Sequence, residues 1–349
     1  MNNTEAEAAD FRSDTFTMPD EAMRKIIHEA QVGNAGYGED PSVNQLEKTL
    51  ADFFECDDAI FLPSATMAGQ IAISAWTKPG DMVLIEEYGH NYYFETGAMA
   101  AIAGVQAHLL SGTRGLLSAD DIAARVVHPE NHYARCGLII LENTSNFGGG
   151  TIYPQQTLDA IFHIGQSHSI PVHIDGARIW NVLAARSCSP AQLMPRRGSM
   201  SVCFSKGLGA PMGAALLGDK GFIHEARRIQ LMLGGVMRQV GFMAAAALYA
   251  FENNRQRLKQ DHENAHYLAS GLANAPGIEI DLESVETNMV YARVTAGADR
   301  ASELVQKLDA RGVRCLNVGP LIRFVTSMLV DHSDCEKAIS VFHTVLSSQ

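Results

Sequence analysis

Two stretches of the chain carry residue types that chemistry needs at strand ends. Pro171-Val172-His173-Ile174 is an apolar run leading into Asp175, and Gly176-Ala177-Arg178 follows it. Ser199 to Phe204 is a second such run, leading into Ser205-Lys206-Gly207. Short apolar runs bounded in this way suit buried parallel strands. Open α/β sheets place their ligands beyond the carboxyl ends of such strands, which would bring Asp175 and Lys206 together. An amine beside a carboxylate is the pair that pyridoxal phosphate (PLP) uses. The lysine carries the cofactor covalently, and the carboxylate keeps the pyridine nitrogen protonated so that the ring accepts electrons. Taken alone, these few residues fit better a strand-end aspartate and a surface lysine with no shared role. Other stretches must decide.

The elements that would position the pair repeat one pattern. Strand-like runs at 59–62, 82–85, 105–110, 136–142 and 214–218 alternate with helical periodicity at 21–30, 42–54, 64–76, 118–127, 154–167 and 220–233. Such alternation describes an α/β fold with a mostly parallel sheet covered on both faces. After an Ala-rich helix at 240–254 and another at 256–274, the character changes to α+β. Strands are expected at 278–280, 288–294 and 321–326, and helices at 301–311 and 333–346. The chain thus reads as a flexible N-terminus over 1–10, a large domain over 11–254 and a smaller C-terminal domain over 255–349. Its 349 residues, 46% hydrophobic and 19% charged, suffice for a large core. A net charge of −12 with no basic block argues against nucleic acid as a partner. The polar start lacks the plan of a signal peptide, and no apolar run reaches membrane-spanning length. The six cysteines show no CxxC spacing and read as reduced thiols of a cytoplasmic protein, without a metal role.

Other strand-end residues suit the same chemistry. Ser64-Ala65-Thr66 opens a helix, where free N–H groups and the dipole would hold a phosphate. A plain helix cap by Ser64 or Thr66 is the alternative. His90, or a tyrosine beside it, offers a flat group to stack on a ring. Three glycines and a proline within residues 33–41 exclude a regular element there. Tyr37 in that loop is either a local anchor or a group that reaches a neighbouring subunit's site.

Six motifs occur in order: Asp10-Phe-Arg-Ser-Asp-Thr15, Tyr37-Gly-Glu-Asp-Pro41, Leu141-Glu-Asn-Thr144, His173-Ile-Asp-Gly-Ala-Arg178, Phe204-Ser-Lys-Gly-Leu-Gly-Ala-Pro211 and Met237-Arg-Gln239. Together, over roughly residues 11–330, the chain resembles the low-specificity threonine aldolases. The resemblance implies the PLP-dependent transferase-like fold of aspartate aminotransferase (fold type I) and PLP as cofactor. It implies a lyase of amino-acid metabolism that splits L-threonine, L-allo-threonine or related β-hydroxy-α-amino acids into glycine and an aldehyde. A diverged PLP lyase, racemase or transaldolase is the alternative. By the same resemblance Lys206 carries the cofactor, Asp175 meets its ring nitrogen and His90 stacks on the ring. Ala65 and Thr66 fall at the phosphate, Arg178 at the cofactor, and Ser13, Arg178 and Arg323 at the substrate carboxylate. His132 falls near the β-hydroxyl, and Arg238 near the cofactor phosphate, from the same or the adjacent subunit. The general base is His90 or an ordered water. Family members form homodimers or homotetramers with shared active sites.

The chain departs from the family pattern in several places. Asn34-Ala35-Gly36 replaces an acidic pair, and Ala65 and Gly69 replace Gly and Asn. Ser145 and Ser327 stand where histidines are usual, and Gln230-Leu231 replaces a basic pair. These changes leave the cofactor centre intact and cluster around the substrate side chain.

Overall fold

The computed structural model describes residues 8–126 and 132–347. The first strand, β1 (Ala9–Asp10), pairs in parallel with Val313–Arg314 from the far end of the chain. Seven strands then build the central sheet: β2 (Asp58–Leu62), β3 (Met82–Glu86), β4 (Gln106–Leu110), β5 (Cys136–Glu142), β6 (Val172–Gly176), β7 (Gly198–Cys203) and β8 (Ala214–Gly218). Their order is β2-β8-β7-β6-β5-β3-β4.

Strands β3 to β7 are parallel, while β8 runs antiparallel to both its neighbours. The reason is the connection. Segment 204–213, which holds Lys206, contains no crossover helix, and parallel strands need a connection of about a dozen residues or more. The inner strands are buried on both faces, so they read as continuous apolar runs rather than alternating ones.

Alternate residues of each strand serve different cores. Ile60 and Leu62 join Leu216 under the helices Ala65–Trp76 and Lys220–Met232. Ala59 and Phe61 face the helices Pro41–Phe54 and Gly241–Asn254. The second face is fixed by Phe53, Phe54, Trp180 and Phe251, whose rings meet edge-on or tilted at 5.0–6.3 Å.

The C-terminal unit adds β9 (Ile278–Glu279), β10 (Met289–Val294), β11 (Val313–Arg314), β12 (Leu316–Val318) and β13 (Leu321–Val325). Four of them form an antiparallel sheet in the order β12-β13-β10-β9. Ile322 and Phe324 point into a second core, so Arg323 between them must face the other way, across from Tyr291. The helix Leu258–Leu272 serves both units: Leu258 lies in the first core, Ala265 and Leu268 in the second.

Three expectations need adjustment. Ala9 and Asp10, assigned above to a flexible end, are held by the backbone pairing of β1 with β11, and Phe11 packs edge-on to Phe324 at 6.0 Å. Ala9 and Phe11 are therefore part of the second core; residues 1–7 lie outside the described residues. The helix expected over 118–127 is seen as Ala119–Ala123, and Val127 also lies outside the described residues. The helix Ile179–Ala185 was not expected.

Candidate active site

The register of the central sheet sets the site. Glu142 ends β5 opposite Asp175, and Asp175 in turn lies opposite Ser201. Carboxylates from two adjacent strands therefore reach the same edge. Just beyond β7, Lys206 enters the pocket there, and its own carbonyl accepts a 2.7 Å hydrogen bond from the Thr17 hydroxyl. Asp175, Lys206, His90, Arg178 and Ala65 line one pocket, together with Glu95, Glu142 and Asn146. The juxtaposition expected of Asp175 and Lys206 is thus observed. Asp175 takes the Ala177 N–H on Oδ1 at 3.2 Å.

His90 starts the short helix His90–Tyr93. Its backbone N–H donates to Glu142 Oε2 at 2.8 Å, and the Asn146 N–H donates to Glu142 Oε1 at 2.7 Å. Even so, burial and the charge of Asp175 push the Glu142 carboxyl up. The His90 ring meets Glu95 through Nδ1 at 2.9 Å, and that bond raises its affinity for a proton against the pull of burial.

Arg178 is buried and clasped by Asp14 from near the chain start. Its Nε donates to Oδ2 at 2.8 Å and its Nη2 to Oδ1 at 2.6 Å. Burial would push Asp14 up, but the Arg178 charge and this two-bond clasp hold it below the ordinary carboxylate value. Asn288 adds a longer contact to Asp14 at 3.4 Å. Arg323, on β13, is brought to the same region: Tyr291, its cross-strand partner, donates its hydroxyl to the Asn146 carbonyl at 3.3 Å, while Arg178 Nη1 reaches Asn146 Oδ1 at 3.4 Å. Burial and the nearby Arg178 charge push Arg323 down, and its buried Nε has no hydrogen-bond partner. A buried donor left unpaired is costly, so this one calls for an anion.

The donor set fits the cofactor expected from the sequence. An amine and a carboxylate share a pocket with Ala65, the first residue of a helix that Ser64 caps through the Met67 N–H. A phosphate would meet the free N–H groups there. Two guanidinium groups remain for a carboxylate.

Not every expected residue converges. Thr66 is exposed beside Ala65 and does not line the pocket. Ser13 precedes Asp14 and caps the turn Asp14–Phe16 through the Thr15 N–H, with its hydroxyl 3.5 Å from Asp14. Arg238 lies between two helices; its carbonyl accepts the Ala35 N–H, and its side chain does not line the pocket. His132 is exposed ahead of β5, at the opposite end of that strand from Glu142, and within one chain it does not reach the pocket. The strand is about 20 Å long by its rise per residue.

The altered positions have structural roles here. Ser145 accepts the Gly148 N–H, Ser327 accepts the Leu329 N–H, and Gln230 donates to the carbonyls of Phe61 and Gly235. Asp14, Glu95, Glu142, Asn146 and Tyr291 escaped the sequence reading. Asp14 and Glu142 lay inside quoted motifs, but nothing in their spacing announced a pairing partner.

The chain matches a family described as beta-eliminating lyase over residues 10–295. A low specificity L-threonine aldolase of Escherichia coli (strain K12) is 35% identical over 339 residues, which cover 97% of this chain and 99% of that protein. A threonine aldolase structure from Leishmania major superposes with a TM-score of 0.85 at 19% identity, covering 97% of this chain and 99% of the other. An aspartate aminotransferase from Thermus thermophilus with maleate gives 0.72 at 15% identity, covering 97% and 92%. At such identities the two structures show the fold alone, which is that of aspartate aminotransferase.

Proposed function

We propose, from the premise that this chain belongs to the beta-eliminating lyase family, that it is a PLP-dependent carbon–carbon lyase. It cleaves β-hydroxy-α-amino acids, L-threonine or L-allo-threonine among them, to glycine and an aldehyde. The observation that carries this reading is the convergence of Lys206, Asp175, His90 and Arg178 around one pocket, with Arg323 near Arg178 and carrying an unpaired buried Nε. When bound, PLP supplies the electron sink that lets the Cα–Cβ bond break.

The chain's own residues do the rest. Lys206 would hold the cofactor, and the Asp175 carboxylate would pair with its ring nitrogen. Arg178 and Arg323 bind the substrate carboxylate, with Ser13 beside them. His90 stacks and takes the β-hydroxyl proton. The same reading takes the enzyme to be a cytoplasmic homodimer or homotetramer. Support for assembly comes from the exposed apolar side chains of Tyr37, Leu231 and Met232. Among the described residues, no helix is long and apolar enough to cross a membrane. His132 and Arg238 then serve a site completed by a second copy.

Two measurements test this. Purified protein with PLP should show a visible absorbance band that shifts with glycine, and either threonine diastereomer should release acetaldehyde, followed with alcohol dehydrogenase. A band without aldehyde from any β-hydroxy amino acid defeats the aldolase reading. No band defeats the cofactor. In addition, Arg323→Lys should raise KM about 10- to 100-fold with a smaller change in kcat, because an ammonium cannot reproduce the two-pronged guanidinium contact. Steady-state kinetics at saturating and limiting amino acid separate the two parameters.

A further inference from the structure

We infer that Glu95 is a positioning residue that fixes His90 with its Nδ1–H turned to the carboxylate, leaving Nε2 to take the proton from bound substrate. This deepens the reading above and rests on it for the identity of the substrate. Glu95 is buried, and its two oxygens collect three N–H groups: His90 Nδ1 at 2.9 Å and Asn91 Nδ2 at 3.2 Å on Oε1, and Gln70 Nε2 at 2.6 Å on Oε2. A carboxylate surrounded by donors only accepts, so the imidazole must donate to it, and the remaining lone pair sits on Nε2.

The supports are themselves buried. Gln70 lies in the helix Ala65–Trp76, whose first residue lines the pocket, so the residue that holds Glu95 is rigidly joined to the proposed phosphate cradle. Gly69 leaves room for Asn91: a Cβ there would come 2.3 Å from Asn91 Nδ2. The other charged groups facing His90 are Asp175 and Glu142, which favour its protonation, and Lys206, which opposes it. The Glu95 bond is the largest influence of the set. Its charge would also stabilise the imidazolium as it forms.

The test is Glu95→Gln, read in two ways on the cofactor-loaded enzyme. The variant is close to isosteric, and Gln70 Oε1, buried without a partner, can turn to accept the new amide. First, the pH profile of kcat/KM should move its acidic limb to lower pH, with kcat down roughly 10- to 100-fold and KM changed less than about threefold. Second, 13C-labelled histidine NMR, with His90 assigned by its loss in His90→Asn, should show its titration midpoint moving the same way. Glu95→Asp should restore part of the midpoint. A slower enzyme with an unmoved limb and an unmoved midpoint makes Glu95 merely structural and overturns the inference. A moved midpoint in a protein that releases no aldehyde from any β-hydroxy amino acid preserves the pairing and defeats the aldolase reading instead.

Discussion

Lys206→Ala should lower turnover of any accepted β-hydroxy amino acid by at least about 10³-fold while leaving the fold intact. The side chain is only half-buried, and its structural contacts run through its backbone: the Lys206 carbonyl accepts from Thr17 and from the Gly209 N–H. Deleting three methylenes and an amine therefore removes chemistry rather than packing. The loss should appear in kcat and kcat/KM alike. Lys206→Arg should be nearly as poor, because a guanidinium keeps the charge but not the nucleophilic amine. The visible absorbance spectrum is the second readout: in both variants the band of the covalently held cofactor should be lost, with circular dichroism unchanged. Retention of activity within about tenfold in either variant would remove Lys206 from the mechanism.

Asp14→Asn should cost about 3–5 kcal/mol of stability, an effect large enough to see directly in chemical denaturation. Asp14 and Arg178 are both buried, at 0% and 6% exposure, so the arginine left behind has no water and has lost its paired counter-charge. An amide would also turn an N–H toward one of the guanidinium's own donors. Burial raises Asp14, but the charge and hydrogen bonds of Arg178 together with the charges of Lys206 and Arg323 outweigh it, so its folded value lies below the ordinary 3.8. The contribution of the pair is thus fully present above that value, and it fades only as the pH falls below it toward the folded value. At neutral pH the gap between wild type and variant should not depend on pH. Activity should fall too: Arg178 is aimed at the pocket by the clasp of Asp14, and kcat/KM should drop about 10- to 100-fold as the guanidinium loses its orientation. An Asp14→Asn protein as stable as wild type would show that the buried pair is replaceable.

Much of the molecule was legible from residues in order. The runs ending at Glu142, Asp175 and Phe204 are apolar because strands covered on both faces have no polar side to show, and that periodicity survives in any single sequence. The turn residues at 33–41 and the change of pattern near residue 276 likewise mark local events. The direction of β8 was harder. It follows from the absence of a crossover helix in 204–213, a constraint on connection length rather than on composition.

What the sequence determined by itself was the placing of reactive groups at strand ends, Lys206 and Asp175 with His90 after β3; the roles of Arg178 and Arg323 came with the family resemblance. These depend on local chemistry, on which residue types end an apolar run. Only the tertiary structure decided which groups touch. Asp14 meets Arg178 because the chain's first strand crosses to the far end and pairs with β11. Arg323 faces Tyr291 and the Asp14–Arg178 pair because its neighbours Ile322 and Phe324 are claimed by a second core. Glu95 meets His90 because a helix turn and Gln70 bring its carboxylate to the ring's Nδ1. His132 and Arg238, which the family resemblance assigned to the site, do not line the pocket of one chain. Contacts of this kind join residues far apart in sequence, and their energy comes from burial and from satisfying charge out of water, which no local pattern encodes.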